Sequence, residues 1–311
     1  MRGRVGPAPF GYALQRQSPE HVFALGCEIA GRLKRNGVLR SDNWSRVLVS
    51  GGSPAAALPV LSEMRTDIQY DHKIVAVAVV STPFPIPLGI RFQKDGEGEV
   101  SCALALLKDL VGQLGRCFLD VLVGDALYLQ SSFVQEVEGL GPDWAFTLKE
   151  NQPELLREAE RFTQGPPAGV SSEAGRELRW RHLPEVDWPV ADRLVRLVKT
   201  VRIDNQRRIE KKVEVAQEST NFYAINFQLG SIPALLIRQL GRGRWRIDTG
   251  VFQTNTAGCH LRHPAVHQST ALVVLTMIRI SARSASTIPA EDVKSSTKSP
   301  SASATGLSPL L

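Results

Sequence analysis

The chain has few cysteines and none close together. Cys27, Cys102, Cys117 and Cys259 are the only four, they form no CxxC pair, and a chain of 311 residues needs no covalent staples to hold a core. Reduced thiols in an intracellular protein are therefore expected, and a disulfide scaffold is not. No uncharged apolar run reaches the roughly 18 residues of a membrane helix. The first residues, MRGRVGPAPFGYALQRQ, lack the apolar core of a signal peptide. No internal repeat is present. These absences lead us to expect a soluble chain without a membrane partner.

What is present is an ordinary globular composition with a basic bias. Hydrophobic residues make up 43% of the chain, enough for a substantial core, and the formal net charge is +6. That charge suits nucleic acid without identifying it. The patterning divides the chain into three parts. Residues 1–45 form an N-terminal helical segment, with a helix over 18–36 capped by Ser18. Residues 46–280 read as an α/β domain. It opens with a short strand at Arg46–Val49 that ends at Ser50-Gly51-Gly52, followed by an Ala- and Pro-rich stretch with no clear period. Strands are then predicted at 73–81, 85–93, 116–125 and 143–149, and helices at 98–115, 131–141 and 151–162. A β-rich interval over about 176–228 has the look of an insertion, and helical patterns return at 232–241 and 269–280. The segment 281–311 is dominated by Ser, Ala, Thr and Pro, and its composition predicts disorder.

Two places concentrate chemistry. The apolar run VLVGDALYLQ ends a predicted strand at Asp125. Ligands of open α/β sheets gather at the carboxyl ends of strands, and a carboxylate there binds a metal or caps the next helix. The second place is Arg244-Trp245-Arg246-Ile247-Asp248. On a helix Arg244 and Asp248 share a face, either as a surface ion pair or as a phosphate-contacting arginine beside a metal-ligating carboxylate.

Taken in order, three segments resemble the insertion-sequence transposases of the DDE superfamily. These are Asp125-Ala126-Leu127-Tyr128, then Leu148-Lys149-Glu150-Asn151-Gln152-Pro153, then Arg244-Trp245-Arg246-Ile247-Asp248. The block KDGEGEVSCALALLKDL at 94–110 is also similar to that family, and the resemblance spans about 70–280. It implies a ribonuclease H-like mixed sheet with flanking helices and a β-rich insertion. It also implies metal-dependent phosphodiester cleavage and strand transfer on double-stranded DNA at transposon ends. The implied cofactor is a pair of Mg²⁺ ions held by Asp125, Asp248 and a first-strand aspartate. A homodimer and a cytoplasmic, nucleoid-associated location belong to the same expectation.

The chain departs from the family pattern where that first aspartate is expected. The slot falls at Ser50, followed by Gly51, and a neutral hydroxyl is a poor substitute for a bridging carboxylate. Asp42, Asp67 and Asp71 lie nearby, but none ends a strand in this reading. The third position carries Asp248 where the family has glutamate, one methylene shorter. Gly241 and Asn255 replace a tyrosine and a lysine of the pattern. A damaged copy of a transposase gene is the expectation, with an inactive DNA-binding remnant or a ribonuclease H-like nuclease as alternatives. Only a short segment precedes the first strand, so a separate DNA-recognition domain is expected to be missing or reduced to the helix at 18–36.

Expected DNA contacts are Lys149 and the cluster Arg238, Arg242, Arg244 and Arg246, with RIDNQRRIEKK at 202–212 as a second basic stretch. Cys259, His260, His263 and His267 are spaced too tightly for a favoured zinc site. Glu97 and Glu99 read as charges at a helix N-terminus.

Overall fold

The computed structural model describes residues 7–37, 39, 47–59, 69–82, 85–162, 164–173, 176–208, 213–227, 247, 251 and 269–287. Nine strands form one mixed sheet in the order β3-β2-β1-β4-β5-β9-β8-β7-β6. They are β1 (Val47–Pro59), β2 (Gln69–Val79), β3 (Ile86–Phe92), β4 (Val121–Gly124), β5 (Asp143–Leu148), β6 (Gly169–Glu173), β7 (Arg176–Trp188), β8 (Arg193–Arg208) and β9 (Val213–Ile225). β1, β4 and β5 run parallel to one another, and every other pairing is antiparallel. The helices are α1 (Pro7–Gln15), α2 (Pro19–Arg35), α3 (Glu99–Leu114), α4 (Ser131–Leu140), α5 (Pro153–Phe162) and α6 (Ser269–Thr287). No helix among the described residues is long and apolar enough to cross a membrane.

The central strands β2, β4 and β5 are buried on both faces, and strand alternation sorts their side chains between them. Val75, Val77 and Val79 of β2, Leu122 of β4 and Trp144, Phe146 and Leu148 of β5 share a core with α2, α3, α4 and α5. The intervening residues Ile74, Ala76, Ala78, Val121, Val123 and Ala145 form a second core with Ile247, Val251 and Ile280. Burial on both sides explains why KIVAVAVV carries no polar alternation. Ser18 caps α2 by accepting a hydrogen bond from the His21 amide, as its position before the apolar period predicts. Gly141, at φ 112, ends α4 in a left-handed conformation that glycine adopts without strain.

Several elements differ from the sequence reading. β1 does not stop at Ser50. It continues through Pro59, paired with β2 from Leu48↔Val79 to Pro59↔Gln69. Alanine and proline are poor strand formers, so local propensity hides this stretch and long-range pairing imposes it. Pro54 borders a register shift, a place where a strand tolerates proline. β2 begins at Gln69, so Asp71 lies within it and not ahead of it. β4 is only Val121–Gly124, because Gly115 at φ 83 turns the chain after α3 and a single turn at Arg116–Phe118 buries Phe118 first. The β-rich insertion begins at Gly169, and α6 carries helix through Thr287, past the expected start of the tail. The helix expected at 232–241 and the segment 288–311 lie outside the described residues.

Burial also fixes the chemistry of the thiols. Desolvation pushes Cys27 and Cys102 up to about 11, well above an ordinary cysteine, whereas Cys117 is exposed. Brief alkylation of the native chain near pH 8 is therefore expected to modify Cys117 and spare Cys27 and Cys102. Peptide mass spectrometry reads this directly, and equal labelling of all three would contradict the packing of α2 and α3.

Candidate functional site

Three parallel strands point their carboxyl ends the same way, and the sequence places its most informative residues there. β4 sits between β1 and β5, and all four of its residues are buried. Asp125 follows immediately in an extended conformation. Its Oδ1 accepts a hydrogen bond from the Ala126 amide at 2.6 Å, so it caps the short turn Ala126–Tyr128 and not α4, whose N-cap position is Gln130. The same oxygen lies 3.5 Å from the Nζ of Lys149, the first residue after β5. The side chains of Asp125 and Lys149 are 35% and 56% exposed, so this is a solvent-facing pair of small energetic weight. Capping and access to solvent coexist here.

The turn after Asp125 is held by the segment that resembles the second family motif. Asn151 Nδ2 donates to the Ala126 carbonyl at 2.7 Å, and Gln152 Nε2 donates to the Leu129 carbonyl at 2.9 Å. Trp188 Nε1, from the end of β7, donates to Gln152 Oε1 at 3.1 Å. Thr147 Oγ1 lies 3.4 Å from the Gly124 carbonyl. Beneath the turn, Tyr128 is 1% exposed, and its hydroxyl donates to Glu99 Oε1 at 2.6 Å. Glycine is required before the aspartate. A Cβ at Gly124 would come within 2.9 Å of Tyr128 and 3.0 Å of Phe146. The two sequence segments are thus one structural unit, in which a loop of irregular backbone satisfies its carbonyls with amides from the neighbouring strand end.

β1 completes the group. Ser50 pairs with Gly124 on one side and with Val77 on the other. Its backbone therefore stands one step before Asp125, and continuing the same register by one residue sets Gly51 beside Asp125. Asp125 and Lys149 accordingly follow the carboxyl ends of β4 and β5, whereas Ser50 lies beside the end of β4 near the start of β1, which runs on through Pro59. Asp248, Arg238, Arg242, Arg244 and Arg246 lie outside the described residues, as do Cys259, His260, His263 and His267. One residue of the third segment, Ile247, is described, and so is Val251 just beyond it. Ile247 and Val251 are 1% and 0% exposed, and both belong to the core that includes Val121 and Val123 of β4.

The described residues do not by themselves make a metal centre. Among them no group of three His, Cys, Asp or Glu side chains is placed to hold an ion. Of the residues that the resemblance implicates, the described ones are one carboxylate, Asp125, an ammonium, Lys149, and the uncharged Ser50.

Four contacts are not signalled by the sequence: Tyr128 to Glu99 and Trp188 to Gln152 around the turn, and Glu138 to both Trp144 Nε1 and Arg193 at the other end of β5. Each joins residues from different elements. Glu99, read only as a helix N-terminal charge, is also the acceptor for the Tyr128 hydroxyl.

No family model matches the chain, and no curated protein matches it. Among solved structures it is similar to a cryo-EM structure of a piggyBac transposase synaptic complex with hairpin DNA. The two share 11% sequence identity with a TM-score of 0.40, over 80% of this chain and 50% of that one. The chain thus spans about half the length of the chain it matches.

Proposed function

We propose that this chain is a DNA-directed phosphotransferase of the transposase type, on a ribonuclease H-like sheet, with an incomplete set of carboxylates. One observation carries the reading. Three antiparallel strands, β3-β2-β1, are continued by the parallel strands β4 and β5, and Asp125 leaves the carboxyl end of β4 beside β1. Support comes from Asn151 and Gln152, which brace the Asp125 turn in the order that the resemblance predicts. It comes also from Ile247, which is buried against the core under β4 and precedes Asp248 directly in sequence. In this reading Asp125 and Asp248 would hold Mg²⁺, which stabilises charge on the oxygens of a phosphodiester undergoing displacement. Lys149, Arg238, Arg242, Arg244 and Arg246 would contact backbone phosphates of double-stranded transposon ends, with two copies of the chain pairing the two ends.

A second reading has its own support. The uncharged β1 slot and the ammonium 3.5 Å from Asp125 favour a catalytically inactive remnant that retains DNA binding. One experiment separates the two. The purified full chain is assayed on duplex DNA carrying candidate terminal repeats, with Mg²⁺ or with chelator. Binding is expected in both cases and should weaken steeply as salt rises. Mg²⁺-dependent nicking that disappears in Asp125→Ala identifies the enzyme, and binding without nicking identifies the remnant. Nicking that survives Asp125→Ala, or binding indifferent to salt, would sink the site assignment.

A further inference from the structure

The groove between α5 and the end of β7 begins at Asn151 and Gln152, the residues that brace the Asp125 turn, and runs from there along α5. It measures about 890 Å³ and has an apolar floor that includes Leu183, Val186 and Trp188. Its mouth carries Phe162 and Val190, which are 48% and 70% exposed. Large apolar side chains left open around a concave surface mark a place where another molecule sits. The groove exists because β7 bulges. Leu183 pairs with Leu197 and Val186 with Val195, which leaves Pro184 and Glu185 opposite Arg196 alone. Arg196 Nε fixes the bulge by donating to the Pro184 carbonyl at 2.9 Å.

The charge around the groove runs against that of the whole chain. Glu154, Glu158, Glu185 and Asp187 line it, with Arg157 as the one guanidinium, in a protein of net charge +6. Phosphate backbones and other anions are repelled here, so this is not a DNA surface. We infer that the groove docks a basic amphipathic peptide segment of a partner protein. Lysine and arginine suit it twice over. Their methylene stems lie on apolar floors such as that of Leu183, Val186 and Trp188, and their charged heads reach the carboxylates of the rim. The volume is that of sites that enclose many side-chain atoms, so it calls for several residues of a peptide in place of a single amine.

This surface stands independently of the transposase reading. The test uses the full chain and a fluorescein-labelled synthetic peptide of leucine and arginine at helical spacing, followed by anisotropy. A control peptide has serine in place of leucine. Saturable binding of the leucine–arginine peptide is expected. Affinity should fall by about tenfold or more for the control peptide, for the combined Glu154→Gln, Glu158→Gln, Glu185→Gln and Asp187→Asn variant, and for Val190→Ser. Asp125→Asn should bind as the unaltered chain does. Circular dichroism verifies that each variant folds. Equal affinity for the folded variants, or no saturable binding, overturns the inference. Self-association of the chain that the rim variant abolishes, in place of peptide binding, also overturns it by making the occupant a second copy.

Discussion

Under the proposed phosphotransferase function, Gly51→Asp is expected to raise Mg²⁺-dependent DNA nicking by about a hundredfold or more over the unaltered chain, because angstrom-scale placement of a reacting group is worth that much. The resemblance to transposases sets the first carboxylate at Ser50, and the sheet refines this. Ser50 pairs with Gly124, the last residue of β4, and continuing that register by one residue would set Gly51 beside Asp125. Neighbouring positions on parallel strands share a face, and a two-metal site needs its carboxylates on one face. The informative comparison is therefore between Gly51→Asp and Ser50→Asp, assayed for nicking and for stabilisation of the fold by Mg²⁺ or Mn²⁺ in thermal unfolding. A gain in Gly51→Asp alone supports the register, and a gain in Ser50→Asp alone shifts the first slot back by one. If neither variant gains nicking or cation-dependent stability, the strand edge is not a degraded two-metal site.

Trp144→Ala is expected to cost about 3–5 kcal/mol of folding stability, the range for removal of a large aromatic from a core. Trp144 is fully buried in β5 and stacks on Phe146, with ring centroids 5.3 Å apart and planes 11° from parallel. Its Nε1 donates to Glu138 Oε1 at 2.9 Å, and the other oxygen of Glu138 receives Arg193. The substitution therefore opens a cavity and removes one of the partners of a half-buried carboxylate. Against a total stability of about 5–15 kcal/mol, that loss moves the chain close to unfolding. Urea titration followed by circular dichroism measures it. Trp144→Phe keeps the stack, loses only the donor and should retain most of the stability. A cost below about 1 kcal/mol for Trp144→Ala would contradict the packing of α4 against β5 and the insertion.

How much of this was legible in the sequence depends on which interactions define each element. β2, β3, α3, α4 and β5 are set by local hydrophobic period and by glycine stops, and the sequence places them within a few residues. The extension of β1 through Pro59 is set by pairing with β2, against the local preferences of alanine and proline, and so it was read as irregular. α1 was passed over because its residues carry both glycine and proline, and its packing against α6 lies far away along the chain. The site shows the same division. The strand-end positions of Asp125 and Lys149 are legible because each follows an apolar strand. The 3.5 Å approach between them, and the bracing of Gln152 by Trp188, depend on the lateral order of strands. Asp248 and the arginines around it lie outside the described residues, so their part in the site stands on sequence alone.

The join between the core and the insertion has a consequence for the nascent chain. β9 pairs with β5 from Ala145↔Ile225 to Leu148↔Phe222, and with β8 along its whole length. Until the ribosome has delivered Val213–Ile225, the outer edge of β5 has no partner from β9, and it belongs to a strand buried from Trp144 to Leu148. Such an edge invites pairing with other chains. A message truncated after α5 would therefore yield an aggregation-prone fragment and not a smaller working domain. The β-rich interval thus covers the open side of β5 and carries the sheet on to a new edge at β6.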